Sequence, residues 1–335
     1  MKVLIDHFSP FSFAHGGFQI QIEQTKSALE KVGIDVDYLK WWDGLQRCDL
    51  IHCFGVPGST YLEQARQLNI PVCITTLFTA ACNYTNTKLF TQGVFKQLLL
   101  KLPIGSGIKH QLYWKAFKNS SHNIIGIEAE RNVLQRVYNV SPENVSCVPL
   151  GLSDAYLNVH APSRSESHLI CNGTITSRKN SVELALLALE AKTPILFVGK
   201  PYHSTDPYWL KFKKLIDGKT VKHHAHVDTE TEMIALLQSA RGYVMMSDCE
   251  NWCLSAHEAA ACGLPLLVQR QNWSEERFGN SVSYFQDIAI TKRNVETLQR
   301  FYNDCPRLSA PSVPLHSWNE VALQLKAIYE KLLHA

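Results

Sequence analysis

Short apolar runs recur along this chain, and helix-length stretches separate most of them. Lys2-Val-Leu-Ile-Asp-His7, Val36–Leu39, Leu50–Cys53, Pro71–Thr75, Asn123–Ile127 and Val145–Gly151 each have the length and composition of a buried strand. An amphipathic helix is predicted from about Phe18 to Val32. Apolar runs of this kind alternating with helices build parallel sheets covered on both faces. The Pro- and Ser-containing stretch His160-Ala-Pro-Ser-Arg-Ser-Glu-Ser167 reads as a linker. A second series follows it: Leu169–Asn172, Ile195–Gly199, Tyr243–Met246 and Leu266–Val268. The pattern predicts an α/β chain of two Rossmann-like halves facing across a cleft, residues 1–158 and 159–315. Their ligands are expected at the carboxyl ends of the strands. In the remaining segment, 316–335, Val321, Leu325, Ile328 and Leu332 fall at helical spacing and predict a closing helix.

Composition removes several function classes. A chain of 335 residues fits about two domains, and a net charge of +3 gives no basis for a nucleic-acid partner. Charges break the apolar stretches well short of the roughly 18 residues a membrane span needs. No basic start followed by an apolar run marks a secretory leader, so a cytoplasmic location is expected. The ten cysteines lack a disulfide-like spacing, and several fall in strand-like runs, as reduced buried thiols do.

Chemistry concentrates in Ser247-Asp-Cys-Glu-Asn-Trp-Cys-Leu-Ser-Ala-His-Glu-Ala-Ala-Ala-Cys-Gly-Leu-Pro265. A polar loop carries Glu250. Helix-favouring residues then start near Leu254 to Ala256, and Gly263 with Pro265 stops the helix. The N-terminus of such a helix aims free N–H groups forward and suits a phosphate. Glu250 and Glu258, one on each side of that end, would repel phosphate but accept hydrogen bonds from sugar or ribose hydroxyls.

Two further loops follow predicted strands. His15-Gly16-Gly17 opens the first helix, and paired glycines let a backbone approach a ligand closely. Asn172-Gly-Thr-Ile-Thr-Ser-Arg-Lys-Asn180 places Arg178 and Lys179 ahead of a helix starting near Val182, a suitable position for a diphosphate.

The run Glu250-x7-Glu258 followed by Ala-Ala-Ala-Cys-Gly-Leu-Pro resembles the donor-site signature of the retaining GT-B glycosyltransferases of family 4. The Gly16-Gly17 loop, Val148–Gly151, the Arg-Lys loop and Ser317-Trp318 extend that resemblance over most of the chain. It implies a GT-B fold whose last helix packs back on the first domain. It also implies transfer of a sugar, expected to be a hexose, from a UDP- or GDP-linked donor to an acceptor that the sequence does not identify. Glu250 would then lie at the transferred sugar and Glu258 at the ribose. Gly16, Gly17, Gly173, Thr174, Arg178 and Lys179, with the amides at Cys253, Leu254 and Ser255, would serve the sugar and diphosphate. The loop from His224 to Val227 would lie near the base. The signature's usual glycine is replaced by Cys253 and the usual arginine by Thr174, with Arg178 supplying the charge. The histidine common in the family after the strand at Pro71–Thr75 has no counterpart in Thr76-Leu77-Phe78. A nucleotide-sugar 2-epimerase of the same fold, or a nucleotide-sugar-binding protein without transfer, are the alternatives.

No metal or other cofactor is expected. Asp35-Val-Asp37 falls in an alternating edge-like strand, and His223-His224-Ala-His226 and the Cys249, Cys253, His257, Cys262 set lack a second ligand pair at zinc spacing. One stretch remains. From Gln64 to Ile127 there is no Asp or Glu, and between residues 88 and 118 lysines alternate with Phe90, Phe95, Leu98 and other apolar residues. This reads either as a helical hairpin whose apolar face is core, or as a surface making peripheral contact with anionic membrane at its cytoplasmic face.

Overall fold

The computed structural model describes residues 1–11, 16–102, 115–159 and 164–334. By contact it comprises two units. The first runs to Gly151 and takes up the C-terminal stretch from Trp318; the second is Leu152–Ser317 together with Gly16 and Gly17.

In the first unit, six parallel strands are β1 (Lys2–His7), β2 (Asp35–Tyr38), β3 (Leu50–Phe54), β4 (Val72–Thr75), β5 (His122–Ile125) and β6 (Val145–Cys147). They lie in the order β2-β1-β3-β4-β5-β6, with Val3 opposite Leu50 and Ile51 opposite Val72. Every residue of β3 is buried, as a strand covered on both faces requires. The helix Gly17–Lys31 contributes Ile22 and Leu29 to the core on one face, and the C-terminal helix Trp318–Leu333 adds Val321, Leu325 and Tyr329 to the same core. A polar connection fixes that helix. His52 on β3 bonds the Tyr329 hydroxyl through Nδ1 at 2.7 Å and Thr75 Oγ1 through Nε2 at 2.6 Å. Burial holds His52 neutral, with its pKa lowered to about 3.

The second unit contains β7 (Leu169–Asn172), β8 (Ile195–Val198), β9 (Val221–His224), β10 (Gly242–Met245), β11 (Leu266–Gln269) and β12 (Ser283–Phe285). Their order is β12-β11-β10-β7-β8-β9, all parallel. Counted within the unit this is the 3-2-1-4-5-6 order of dinucleotide-binding folds. The order reverses between β7 and β10, and the crevice at their carboxyl ends is where such sheets take ligands. The core packs Leu184 and Leu187 of the helix Ser181–Ala191 with Phe197, Phe212, Val244 and Leu267.

Three expectations need correction. The boundary falls at 151/152, not 158/159, because Ser153 donates from Oγ to Glu230 at 2.8 Å and the short helix Asp154–Leu157 packs within the second unit. Of the predicted linker, 160–163 lies outside the described residues. The remainder is anchored, with the Arg164 guanidinium donating to the carbonyls of Gly263, Cys305 and Leu308. In the basic stretch, Lys96 is not a surface charge. It is buried, its Nζ donates to the Val137 carbonyl at 3.2 Å and lies 3.8 Å from the centre of the Tyr138 ring, and burial lowers its pKa to about 8. Among the described residues, no helix is long and apolar enough to cross a membrane.

Candidate active site

The site is assembled at the order reversal of the second sheet. β7 ends at Asn172, and its loop passes through Gly173 and Thr174 to a single helical turn, Ser177–Lys179. Gly173 has φ +145°, and Gly199, at the end of β8, has φ +147°. A Cβ on Gly199 would lie 2.1 Å from the Gly173 carbonyl oxygen, so only glycine lets these two loops pass at this distance. Asn180, in the left-handed region at φ 51°, donates from Nδ2 to the Met246 carbonyl at 2.9 Å. It thereby ties the β7 loop to the end of β10.

Glu250 lies where these loops meet. Its Oε1 accepts from Lys179 Nζ at 2.5 Å, from Ser247 Oγ at 2.8 Å and from Arg178 Nη1 at 2.9 Å. Arg178 Nη1 also donates to the Cys249 carbonyl at 2.8 Å. Glu250 is buried, and burial alone would raise its pKa. The Lys179 and Arg178 charges outweigh that and hold it below the usual carboxylate value. For Lys179, burial works toward a lower pKa, and the Glu250 charge overcomes it to leave the value raised.

The second glutamate is in the opposite state. Glu258, on the helix Leu254–Ala261, has a raised pKa of about 7 because its carboxyl is desolvated. Asn172 Nδ2 reaches its Oε2 at 3.4 Å, the partner that works against the rise. Charged acceptor and protonatable carboxyl therefore stand eight residues apart on one loop and one helix.

Between them, Cys253 caps the helix with φ 59° and ψ 78°, in the left-handed region that disfavours a residue carrying Cβ. Cys253 stands where the resembling signature has glycine. Its thiol is buried, with Sγ 3.3 Å from Met245 Sδ and 3.4 Å from Ser255 Oγ, and burial pushes its pKa up to about 11. The Cys253 carbonyl accepts from the N–H groups of Ala256 and His257 and from His257 Nδ1 at 3.0 Å. The N–H groups of Leu254 and Ser255, at the start of the helix, have no preceding helical carbonyl to reach.

Several supporting residues carried no motif in the sequence. Tyr243 of β10 donates its hydroxyl to Ser255 Oγ at 2.9 Å. Trp252 is held between two partners: the His257 ring stacks at 4.8 Å, and the Arg277 guanidinium carbon sits 3.9 Å from the ring centre. Asn172 Oδ1 is buried without a hydrogen-bond partner beside Glu258. An asparagine at the end of a strand and a buried tyrosine are too common to be singled out by type. Gly199 could have been found, since it follows an apolar strand at the carboxyl end where loops converge.

Of the predicted site residues, Gly173, Thr174, Arg178, Lys179, Glu250, Cys253, Leu254, Ser255 and Glu258 belong to this unit. Gly16 and Gly17 group with it too. A Cβ on Gly16 would be 3.6 Å from Thr174 Oγ1, and one on Gly17 would be 3.8 Å from Leu254 Cδ1. His15 lies outside the described residues. Among the described residues no cluster suits a metal ion. His223 Nε2 bonds the Gly199 carbonyl at 2.9 Å and packs against Trp209, while Asp37 pairs with Lys40 at 3.0 Å.

No protein-family model matches the chain, and no curated protein matches its sequence. Solved structures do match its fold over nearly the whole length. HepE from Anabaena, crystallised with UDP and glucose, is 12% identical with a TM-score of 0.65, covering 98% of this chain and 99% of that one. The sucrose-phosphate synthase of Thermosynechococcus elongatus is 16% identical with a TM-score of 0.67 and complete coverage of both chains. WaaG, a glycosyltransferase involved in lipopolysaccharide biosynthesis, is 14% identical with a TM-score of 0.60, covering 99% and 98%. At such identities the likeness is one of fold, and the fold is the GT-B type built from two Rossmann-like units.

Proposed function

We propose that this chain is a retaining glycosyltransferase similar to family 4, moving a hexose from a UDP- or GDP-linked donor to an acceptor, without a metal, in the cytoplasm. The observation that carries the reading is the Arg178–Glu250–Lys179 arrangement at the order reversal of the second sheet, ahead of the helix that bears Glu258. Two cations share one carboxylate, leaving one positive charge in excess beside a helix N-terminus. That excess suits a diphosphate, and a preorganised positive site stabilises the charge that develops as the sugar departs. HepE, whose fold this chain shares, has been crystallised with UDP-glucose, which supports a nucleotide sugar as donor.

In this mechanism Arg178, Lys179 and the N–H groups of Leu254 and Ser255 hold the diphosphate, with Gly16, Gly17, Gly173 and Thr174 giving the backbone close approach. Glu250 keeps the two cations in place and orients sugar hydroxyls. Glu258 accepts from the ribose, which its ionised form does best. The departing phosphate takes the acceptor's proton, so no protein nucleophile is needed.

The test is donor turnover. The protein is incubated with UDP- and GDP-sugars and a panel of sugar and lipid-linked acceptors, with and without EDTA, and products are resolved by mass spectrometry. A glycosylated acceptor formed equally with EDTA is expected. An isomeric donor would make the chain an epimerase. Binding of nucleotide sugar with no product across the panel would leave a binding protein, and loss of transfer on chelation would refute the metal-free mechanism.

A further inference from the structure

The helix Asn86–Lys101 presents an apolar ridge to solvent. Phe90, Val94 and Leu98 recur every fourth residue and are 61%, 43% and 57% exposed; Phe95, beside them, is 63% exposed, and Leu102, just past the helix end, is 49% exposed. Residues at that spacing share one side of a helix. The opposite side is the one that packs. Leu89 and Lys96 are buried there, and a Cβ on Gly93 would lie 2.2 Å from the Arg136 carbonyl oxygen. The exposed phenylalanines and leucines are therefore surplus to the core, and a contiguous apolar ridge on a surface marks an interaction site.

The charge around the ridge selects the partner. Gln64 to Ile127 contains no carboxylate side chain. Lys88 and Lys101, near the two ends of the helix, are exposed, as are Lys115 and Lys118. On the other flank of the helix a cavity of about 400 Å³ is lined by Lys96, Lys115 and Lys118, with no acidic residue among its described lining. A protein partner with an apolar groove would not require a surface free of acid over this length. An apolar ridge on a segment whose charged residues are all basic matches an interfacial helix on anionic lipid, with side chains at the acyl boundary and lysines among the headgroups.

We infer that the exposed face of the helix Asn86–Lys101 docks this protein on an anionic phospholipid surface, with Phe90, Val94, Phe95, Leu98 and Leu102 inserted and Lys88 and Lys101 at the headgroups. This goes beyond the transferase reading and does not depend on it.

Vesicle co-sedimentation tests it, using the full chain with phosphatidylcholine vesicles containing or lacking phosphatidylglycerol. Wild type should pellet with the anionic vesicles at low salt, release as salt rises, and stay in solution with the neutral ones. Replacing Phe90, Phe95 and Leu98 by serine should abolish pelleting. Lys88→Gln with Lys101→Gln should lower partitioning about fivefold per lysine. Far-ultraviolet circular dichroism and melting should match wild type, since all five side chains are exposed. Wild type remaining in solution with anionic vesicles would overturn the inference. So would equal binding to neutral vesicles, or unchanged binding by the serine variant. No nucleotide sugar enters the assay, so its failure leaves the proposed transfer reaction standing.

Discussion

Glu250 and Glu258 respond to pH in opposite directions. Glu258 has its folded pKa raised from 4.5 to about 7, so the stability it contributes is complete below 4.5 and lost as pH rises through 7. That shift corresponds to on the order of 3 kcal/mol. Glu258→Gln should therefore leave stability unchanged near pH 4.5 and raise it at pH 8, while weakening nucleotide binding. Glu250 has its folded pKa lowered, so its contribution is present above 4.5 and lost as pH falls through the folded value. Glu250→Ala leaves Lys179 and Arg178 without their carboxylate and should cost about 3–5 kcal/mol at pH 7. Denaturant melts of both variants at pH 4.5, 7 and 8 check the signs. A Glu258→Gln protein no more stable than wild type at pH 8 would show that burial does not disfavour the ionised carboxyl. Cys253 offers a second test at this scale. Cys253→Gly and Cys253→Ala both delete the thiol, but only alanine keeps a Cβ at φ 59°. Glycine should be the more stable by about 1 kcal/mol. The reverse order in chemical denaturation would mean that the left-handed turn is not strained.

At the scale of elements, the C-terminal helix is held by shape and by one buried polar chain, Thr75–His52–Tyr329. Tyr329→Phe keeps the packing and leaves His52 Nδ1 without its partner, so it should cost about 1–3 kcal/mol in urea melts. A loss below a few tenths would show that His52 finds another partner. Much at this scale was legible in advance. β1, β3, β4, β7, β8, β10 and β11 are dense apolar runs that need no context, and the motif helix begins at Leu254, within the predicted Leu254 to Ala256. β12, Ser283–Phe285, has three residues and one fully buried side chain, too little pattern to separate it from loop. Strand order is a matter of long-range pairing, and local periodicity carries no information on it. The same limit explains Lys96. Its charge says surface, and only the facing Tyr138 and the Val137 carbonyl show why it turns inward. At the site, types with rare chemistry (paired glutamates, an Arg-Lys pair, glycines) were readable. Asn172, Asn180 and Tyr243 were not, since their roles come from what the fold brings opposite them.

For the whole molecule, each unit has its own six-stranded sheet and its own apolar core, and all the candidate site residues group with the second. A ligand that binds only folded protein stabilises the part whose unfolding destroys its site. At 100 times its Kd that stabilisation is about 2.7 kcal/mol, or roughly a hundredfold in the opening equilibrium. Saturating UDP or GDP should therefore slow exchange of the most protected amides in β7, β8, β10 and β11 by up to about that factor. The corresponding amides of β3 and β4 should change far less, because their opening leaves the second core intact. Hydrogen exchange read peptide by peptide separates the two. Protection confined to β3 and β4 would move the nucleotide to the first unit and overturn the roles given to Lys179 and Glu258. Equal protection of both sheets would mean that the units open as one. That result would make the substrate site a property of the cooperative whole, and variants anywhere in the first core would then be expected to weaken nucleotide binding.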